Sequence, residues 1–454
     1  MADKKRILWV DQLKGIVFFP VLLGHASGIG EQLRSYIYSF HMPLFLMITG
    51  LTLNIEKVYE MPFLSYVYKL FKRMIVPYVW LNLLSLTVRY FISVFITHKP
   101  FSVFNYLKGM LISNTQLPSS PCPAAPTYYI ILLFLAQIFL WAVIKVCKKD
   151  RLKIGIVCSV LCLLSIVTQK VPMIWHINVV PVAMLWIFLG NIIMVCYKSV
   201  SDRLNALKIP SYFILCAVCF AVGFGVWMYN GRVSIHGNYY GESFLLFILA
   251  AMATSIGIIL LTIKLPDTKI FTYVGKNTLF YLGTHTVILL IINNIFRELK
   301  NESWFFFVHS LAVYFMLIPV TAIANRLVPY INGNPLTQKS ILTEVCKILC
   351  IAAAGFVPCN QFVNKFGGGI LESSVGMKSA TVVGYIVLCI AVCFVFNKVF
   401  PFMFVADKKK SKYITARQRL SSVLLFLHKK TIFKLSNLNR YYFKNCRLKI
   451  YKVV

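Results

Sequence analysis

Acidic side chains are scarce in this chain. Fourteen Asp and Glu stand against 47 Lys and Arg in 454 residues, and charged residues together make up 13%. Soluble globular chains carry about a quarter, so a water-soluble fold is excluded. There is no carboxylate cluster and no helical HxxxH pair, which speaks against metal catalysis. The thirteen cysteines show no paired CxxC spacing. Cys158/Cys162, Cys346/Cys350 and Cys389/Cys393 stand four apart inside apolar runs, as small packing residues do, so no disulfide framework is expected. Gly275-Lys276 lacks the upstream glycine of a phosphate-binding loop. No nucleophile elbow supports a Ser-His-Asp triad, and no internal repeat is visible.

What the chain has instead is apolar length. Hydrophobic residues reach 59%, the mean hydropathy is +0.74, and the runs repeatedly approach the roughly 20 residues that cross a bilayer. The expected fold is all-α, a polytopic transmembrane bundle of about twelve spans. They are read at 7–25, 36–53, 75–96, 127–146, 152–168, 179–197, 210–229, 241–263, 277–295, 303–325, 341–358 and 379–403. Met1–Arg6 is a short basic flank with no small-residue cleavage site after the run that follows, so that run reads as a retained span. Lys and Arg concentrate in the connections that are inside when both termini are cytoplasmic, as the positive-inside rule requires. The net charge of +33 then reflects inner loops and anionic lipid rather than nucleic acid. The outer connection 97–126 ends in SNTQLPSSPCPAAP, which cannot be helical and reads as a connector or a lid. Pro77 marks an early break in the third span. From Asp407 on, fourteen Lys/Arg and one acid form a basic tail suited to an anionic leaflet.

The chemistry gathers in the first fifty residues. Asp11, Lys14, His25 and His41 lie in two apolar runs joined by a turn with Gly28 and Gly30, and an ionisable group at membrane depth is a functional candidate by default. Lys14 and His25 stand eleven positions apart, which puts them within roughly 20° on one helix face and about 16 Å apart along the axis. Asp11 lies one turn before Lys14 and can neutralise it. An imidazole with a pKa near 6.5 is suited to take a proton from a weakly acidic hydroxyl. His41, facing the first span about a turn below His25, could orient His25, bind an acceptor or stabilise an oxyanion. Arg73, at the inner start of the third span, is a second cation for an anionic ligand. His285 reads as a pore-lining residue. The polar, aromatic outer loop 230–240, NGRVSIHGNYY, offers Tyr and Arg or His side chains that could stack on and hydrogen-bond a sugar, or that form an ordinary interfacial belt. Taken singly, His98, His176, His236, His309 and His428 carry no signal. Spacing leaves open which histidine is the base.

The run DQLKGIVFFPVLLGH, followed by YSFHMPLFLMITGLTL, resembles the first two helices of the acyltransferase-3 family of integral membrane acyltransferases, in the branch that O-acetylates sugars and surface polysaccharides. KRMIVPYVW (72–80), PTYYIILLFLAQIF (126–139) and VGKNTLFYLGTH (274–285) extend the resemblance in order, over roughly residues 7–335. The resemblance implies acyl transfer, most simply of acetyl, from a cytoplasmic acyl-CoA donor substrate, with no tightly bound cofactor. The acceptor would be a hydroxyl of a surface or capsular polysaccharide or its lipid-linked precursor. His25 and His41 would be catalytic, Lys14 and Arg73 donor-binding, in a multi-pass protein of the inner or plasma membrane. Residues 1–335 would form the acyltransferase domain, 336–406 two added spans and 407–454 a basic cytoplasmic tail; nucleic acid is not expected as a partner. A transporter or flippase for a lipid-linked sugar is the alternative; intramembrane charges fit it, while the missing repeat weighs against it.

Overall fold

The computed structural model describes residues 7–299, 302, 304–334 and 340–366. The expected span at 379–403 and the tail from 407 lie outside the described residues. Apart from the short helix Ile55–Glu60 and three 3-10 turns, the helices in chain order are α1 (Leu8–His25), α2 (Glu31–Leu51), α3 (Phe63–Ile96), α4 (Val103–Ile112), α5 (Tyr128–Val146), α6 (Arg151–Val167), α7 (Val180–Ala206), α8 (Ile209–Asn230), α9 (Phe244–Lys264), α10 (Lys269–Lys276), α11 (Thr278–Ile295), α12 (Phe305–Leu327) and α13 (Ile341–Phe366). Among the described residues the only strand-like pairing is one bridge, Ser234 with Tyr239. Seven helical stretches there are long and apolar enough to cross a membrane. Apolar side chains such as Leu152, Ile214 and Leu245 point outward, as they do where lipid replaces water. The protein is an all-α, polytopic membrane protein.

Helix α1 is the axis of the bundle. Val10, Leu13 and Val17 enter one apolar core, while Phe18, Val21 and Leu22 enter a second. A helix buried on several sides has no amphipathic stripe, and this one holds its neighbours by close backbone approach. A Cβ on Gly275 of α10 would collide with the Asp11 carbonyl, and one on Gly15 with the Phe271 carbonyl. Gly50 of α2 and Gly190 of α7 meet the partner helix's backbone in the same way. The short α10 is thus laid across the start of α1, and Gln12 fastens it: its amide donates to Pro266 O at 3.0 Å and accepts from Thr268 N at 2.9 Å.

Three expectations are corrected. The third span starts at Phe63 rather than 75, because Pro77 does not break the helix. A π-helical turn at Phe71–Ile75 precedes it and absorbs the missing donor, as such bulges do. The connection 97–126 contains a ten-residue helix, α4, before its Pro- and Ser-rich half. The span expected to end at 358 runs on to Phe366.

Candidate active site

The α1–α2 turn decides where His25 sits. Gly28 takes φ +81°, a left-handed conformation glycine adopts without strain, and α1 stops at His25. The carbonyls left open at that end are answered from α2. The Tyr38 hydroxyl donates to Gly24 O at 2.9 Å, and Arg34 donates to Ala26 O at 3.2 Å. His41 follows Tyr38 by one turn. The Tyr38 ring centroid lies 6.3 Å from that of His25 and 5.2 Å from that of His41.

These three rings line a cavity of about 270 Å³. Val21, Met42, Phe45 and Leu282 give it apolar walls, with the Thr278 hydroxyl among them. Among the described residues no Asp, Glu, Lys or Arg is part of the lining. His25 is accessible within it, whereas His41 is buried to 7% exposure. The His41 Nδ1 lies 2.8 Å from Ile37 O. A carbonyl only accepts, so Nδ1 carries the proton and the neutral ring presents the Nε2 lone pair.

Two loops roof the cavity with Thr115, Ala125 and Pro126 on one side and Ser234, Ile235 and His236 on the other. The first loop is tied to α3 by Asn82, whose side chain accepts from Ala124 N at 3.1 Å and donates to Thr127 Oγ1 at 2.9 Å. In the second, Ser234 and Tyr239 bond each other's backbone, and Asn238 donates to Thr168 O at 2.6 Å. His236 is thereby brought within 4.5 Å of the Tyr128 ring and 4.8 Å of His176, and its Nε2 lies 3.1 Å from Thr115 Oγ1. Burial pushes the His236 imidazole down to about 4, so it is neutral near pH 7.

His285 does not line the cavity. It stands fully buried behind His25, with ring centroids 5.2 Å apart, and its Nδ1 lies 2.9 Å from Tyr281 O. Lys14 and Arg73 are also outside the lining. Lys14 pairs with Asp11 at 3.3 Å while keeping 24% of its side chain accessible. Arg73 is exposed on the π-helical turn of α3. The structure therefore brings His25 and His41 together and leaves the two cations apart from them. It adds His236, which sequence spacing gave no reason to choose.

No curated protein and no solved structure matches this chain. The acyltransferase domain family matches residues 7–326, a stretch that holds α1 to α11, nearly all of α12, and every residue of the cavity. That sets aside the transporter reading in favour of an enzyme that transfers acyl groups other than aminoacyl groups. The chain belongs to the acyltransferase domain family of membrane acyltransferases.

Proposed function

We propose that the protein moves an acyl group, most simply acetyl, from a coenzyme A thioester to a hydroxyl of a surface carbohydrate or its lipid-linked precursor, with His25 as general base. The observation that carries this reading is an accessible imidazole inside a cavity whose described lining holds no charged side chain, roofed by hydroxyl and aromatic side chains. The acceptor hydroxyl gives its proton to His25 as its oxygen bonds to the thioester carbonyl carbon. The tetrahedral intermediate collapses, the C–S bond breaks, and the leaving thiolate takes the proton back from the imidazolium. The products are an ester and free coenzyme A.

His41 offers the cavity a lone pair, since its Nδ1 proton is committed to Ile37. That supports a role in accepting from the acceptor's hydroxyl and speaks against oxyanion stabilisation, which needs a donor. Thr115, Tyr128, Ser234 and His236 are suited to a sugar, because rings stack on its apolar face while hydroxyls and imidazoles bond its edge. Lys14 and Arg73 would hold the anionic part of the donor at the cytoplasmic end. About 16 Å of helix separates Lys14 from His25, a gap a pantetheine arm bridges. In this reading residues 1–335 hold the reaction in the plasma or inner membrane, 336–406 add scaffold, and 407–454 lie on anionic lipid.

Incorporation of radiolabelled acetyl from acetyl-CoA into envelope glycan, in membranes containing the full chain, tests the reading. His25→Ala is expected to lower incorporation about 10²–10⁴-fold with the amount of inserted protein unchanged. Incorporation within threefold of the unsubstituted protein would remove His25 from the reaction.

A further inference from the structure

We propose that His285 is the positioning residue for His25: its Nε2 accepts a hydrogen bond from one ring N–H of His25 and turns the other ring nitrogen, with its lone pair, into the cavity. The role rests on His25 being the general base.

α1 and α11 lie side by side and run in the same direction. Phe18 meets Tyr281 at 5.3 Å and His285 at 5.5 Å, both edge-on, and near the far ends of the two helices Asn293 donates to Ser27 Oγ at 3.0 Å. Gly283, two residues before His285, lets α11 close onto Leu81 of α3. These contacts fix the His285 ring against α1 with no exposure to solvent.

The protonation pattern of that ring follows from its backbone bond. Tyr281 O can only accept, so Nδ1 holds the proton and Nε2 is an acceptor. That Nε2 is buried and has no hydrogen-bond partner among the described residues. An unanswered buried acceptor costs about 1–3 kcal/mol, so a donor within reach is favoured to pair with it. His25 is the ring beside it, at 5.2 Å between centroids. Two imidazoles joined by an N–H···N bond of about 3 Å have centroids about 5 Å apart, so turning the rings, without moving the helices, makes the bond. Among the described residues no side-chain hydrogen bond holds the His25 ring in another orientation, so it can turn.

The result is a chain with one direction: Tyr281 O accepts from His285 Nδ1–H, His285 Nε2 accepts from His25, and the second His25 nitrogen accepts from the substrate hydroxyl. A base whose tautomer is set by a third group is the arrangement on which nucleophile activation generally relies. When His25 takes up the proton, its bond to His285 becomes charge-assisted and strengthens.

The test uses the full chain in membranes, with His285→Phe and His285→Leu, which remove the acceptor, and His285→Gln, which restores one as a carbonyl oxygen. Two quantities are read: steady-state acetyl transfer from acetyl-CoA, and the rate at which diethyl pyrocarbonate modifies His25, followed by peptide mass spectrometry. In the Phe and Leu variants kcat is expected to fall at least tenfold with the donor KM within twofold. His25 modification should slow at least threefold. His285→Gln should regain at least fivefold in kcat and return the modification rate to within twofold of the starting protein. Running Phe and Leu in parallel keeps a packing defect in either from deciding the matter. Unchanged His25 modification in both apolar variants, or a Gln variant no better than they are, overturns the proposal. Modification that follows His285 while His25→Ala still transfers acetyl would uphold the dyad and defeat the general-base reading instead.

Discussion

The two ends of α1 are built on opposite principles. At the Lys14 end the polar groups of α1 itself are answered by neighbours among the described residues: Lys14 by Asp11, the Gln12 amide by both sides of the α10 turn, the Gly15 carbonyl by the Tyr314 hydroxyl at 3.0 Å. At the His25 end the backbone is capped, but imidazole nitrogens are left over. His41 and His285 each spend Nδ1 on a carbonyl one turn back and keep Nε2 as an acceptor. In a low-dielectric interior such leftovers are costly; the one on His41 belongs to the cavity lining, and the one on His285 stands beside His25. Along this one helix, pairing that holds the fold gives way to groups available for chemistry.

Substituting glycines at the two ends breaks the comparison most severely. Gly275→Ala drives a Cβ into the Asp11 carbonyl and must lift α10 from α1, whereas Gly30, beyond the His25 end, has open space and an ordinary φ of −59°. Overpacking costs about 1–3 kcal/mol and sometimes more. Gly275→Ala should therefore lose most of its monodisperse protein in detergent, and Gly30→Ala should keep it. Equal behaviour of the two on size-exclusion chromatography would mean that α10 is not an anchor.

A smaller effect sharpens the picture of the roof. His236 titrates at about 4 in the folded protein against about 6.5 unfolded. Between those values the unfolded chain binds a proton that the folded loop does not, so stability falls as pH is lowered through that window. His236→Gln should flatten the fall, with a difference in Tm of about 2 °C between pH 6.5 and 4. An identical pH profile in both proteins would place His236 in water rather than against Tyr128 and His176.

How much of this was legible in the sequence depended on the range of the interaction. His25 and His41 could be chosen because both stand in apolar runs on either side of a short turn. The Asp11–Lys14 pair followed from i,i+3 spacing. The loop 230–240 could be read as sugar contacts or as an interfacial belt, but His236 could not be singled out in it, since it reaches the cavity only when Asn238 ties its loop to Thr168, seventy residues earlier in the chain. The run with His285 was legible as a helix, but its neighbour across α1 was not, and so a buried ring was expected to line a pore. Pro77 was expected to break a helix because the rule assumes α-helical pairing. A wider turn just before it removes the conflict. Helix α4 was hidden beside a Pro- and Ser-rich stretch whose character spread over the whole connection.

The most direct measurement of the contrast between the two ends sets Lys14→Gln beside His25→Ala, as full chains in membranes, with labelled acetyl-CoA as donor. If the Lys14 end holds the donor and the His25 end performs the reaction, Lys14→Gln raises the donor KM about tenfold and leaves kcat within threefold, and Lys14→Arg largely restores it because charge is kept. His25→Ala does the reverse, losing at least 100-fold in kcat, the typical worth of a general base, with the donor KM within threefold. Loss of kcat in both variants with no change in KM for either would contradict the division.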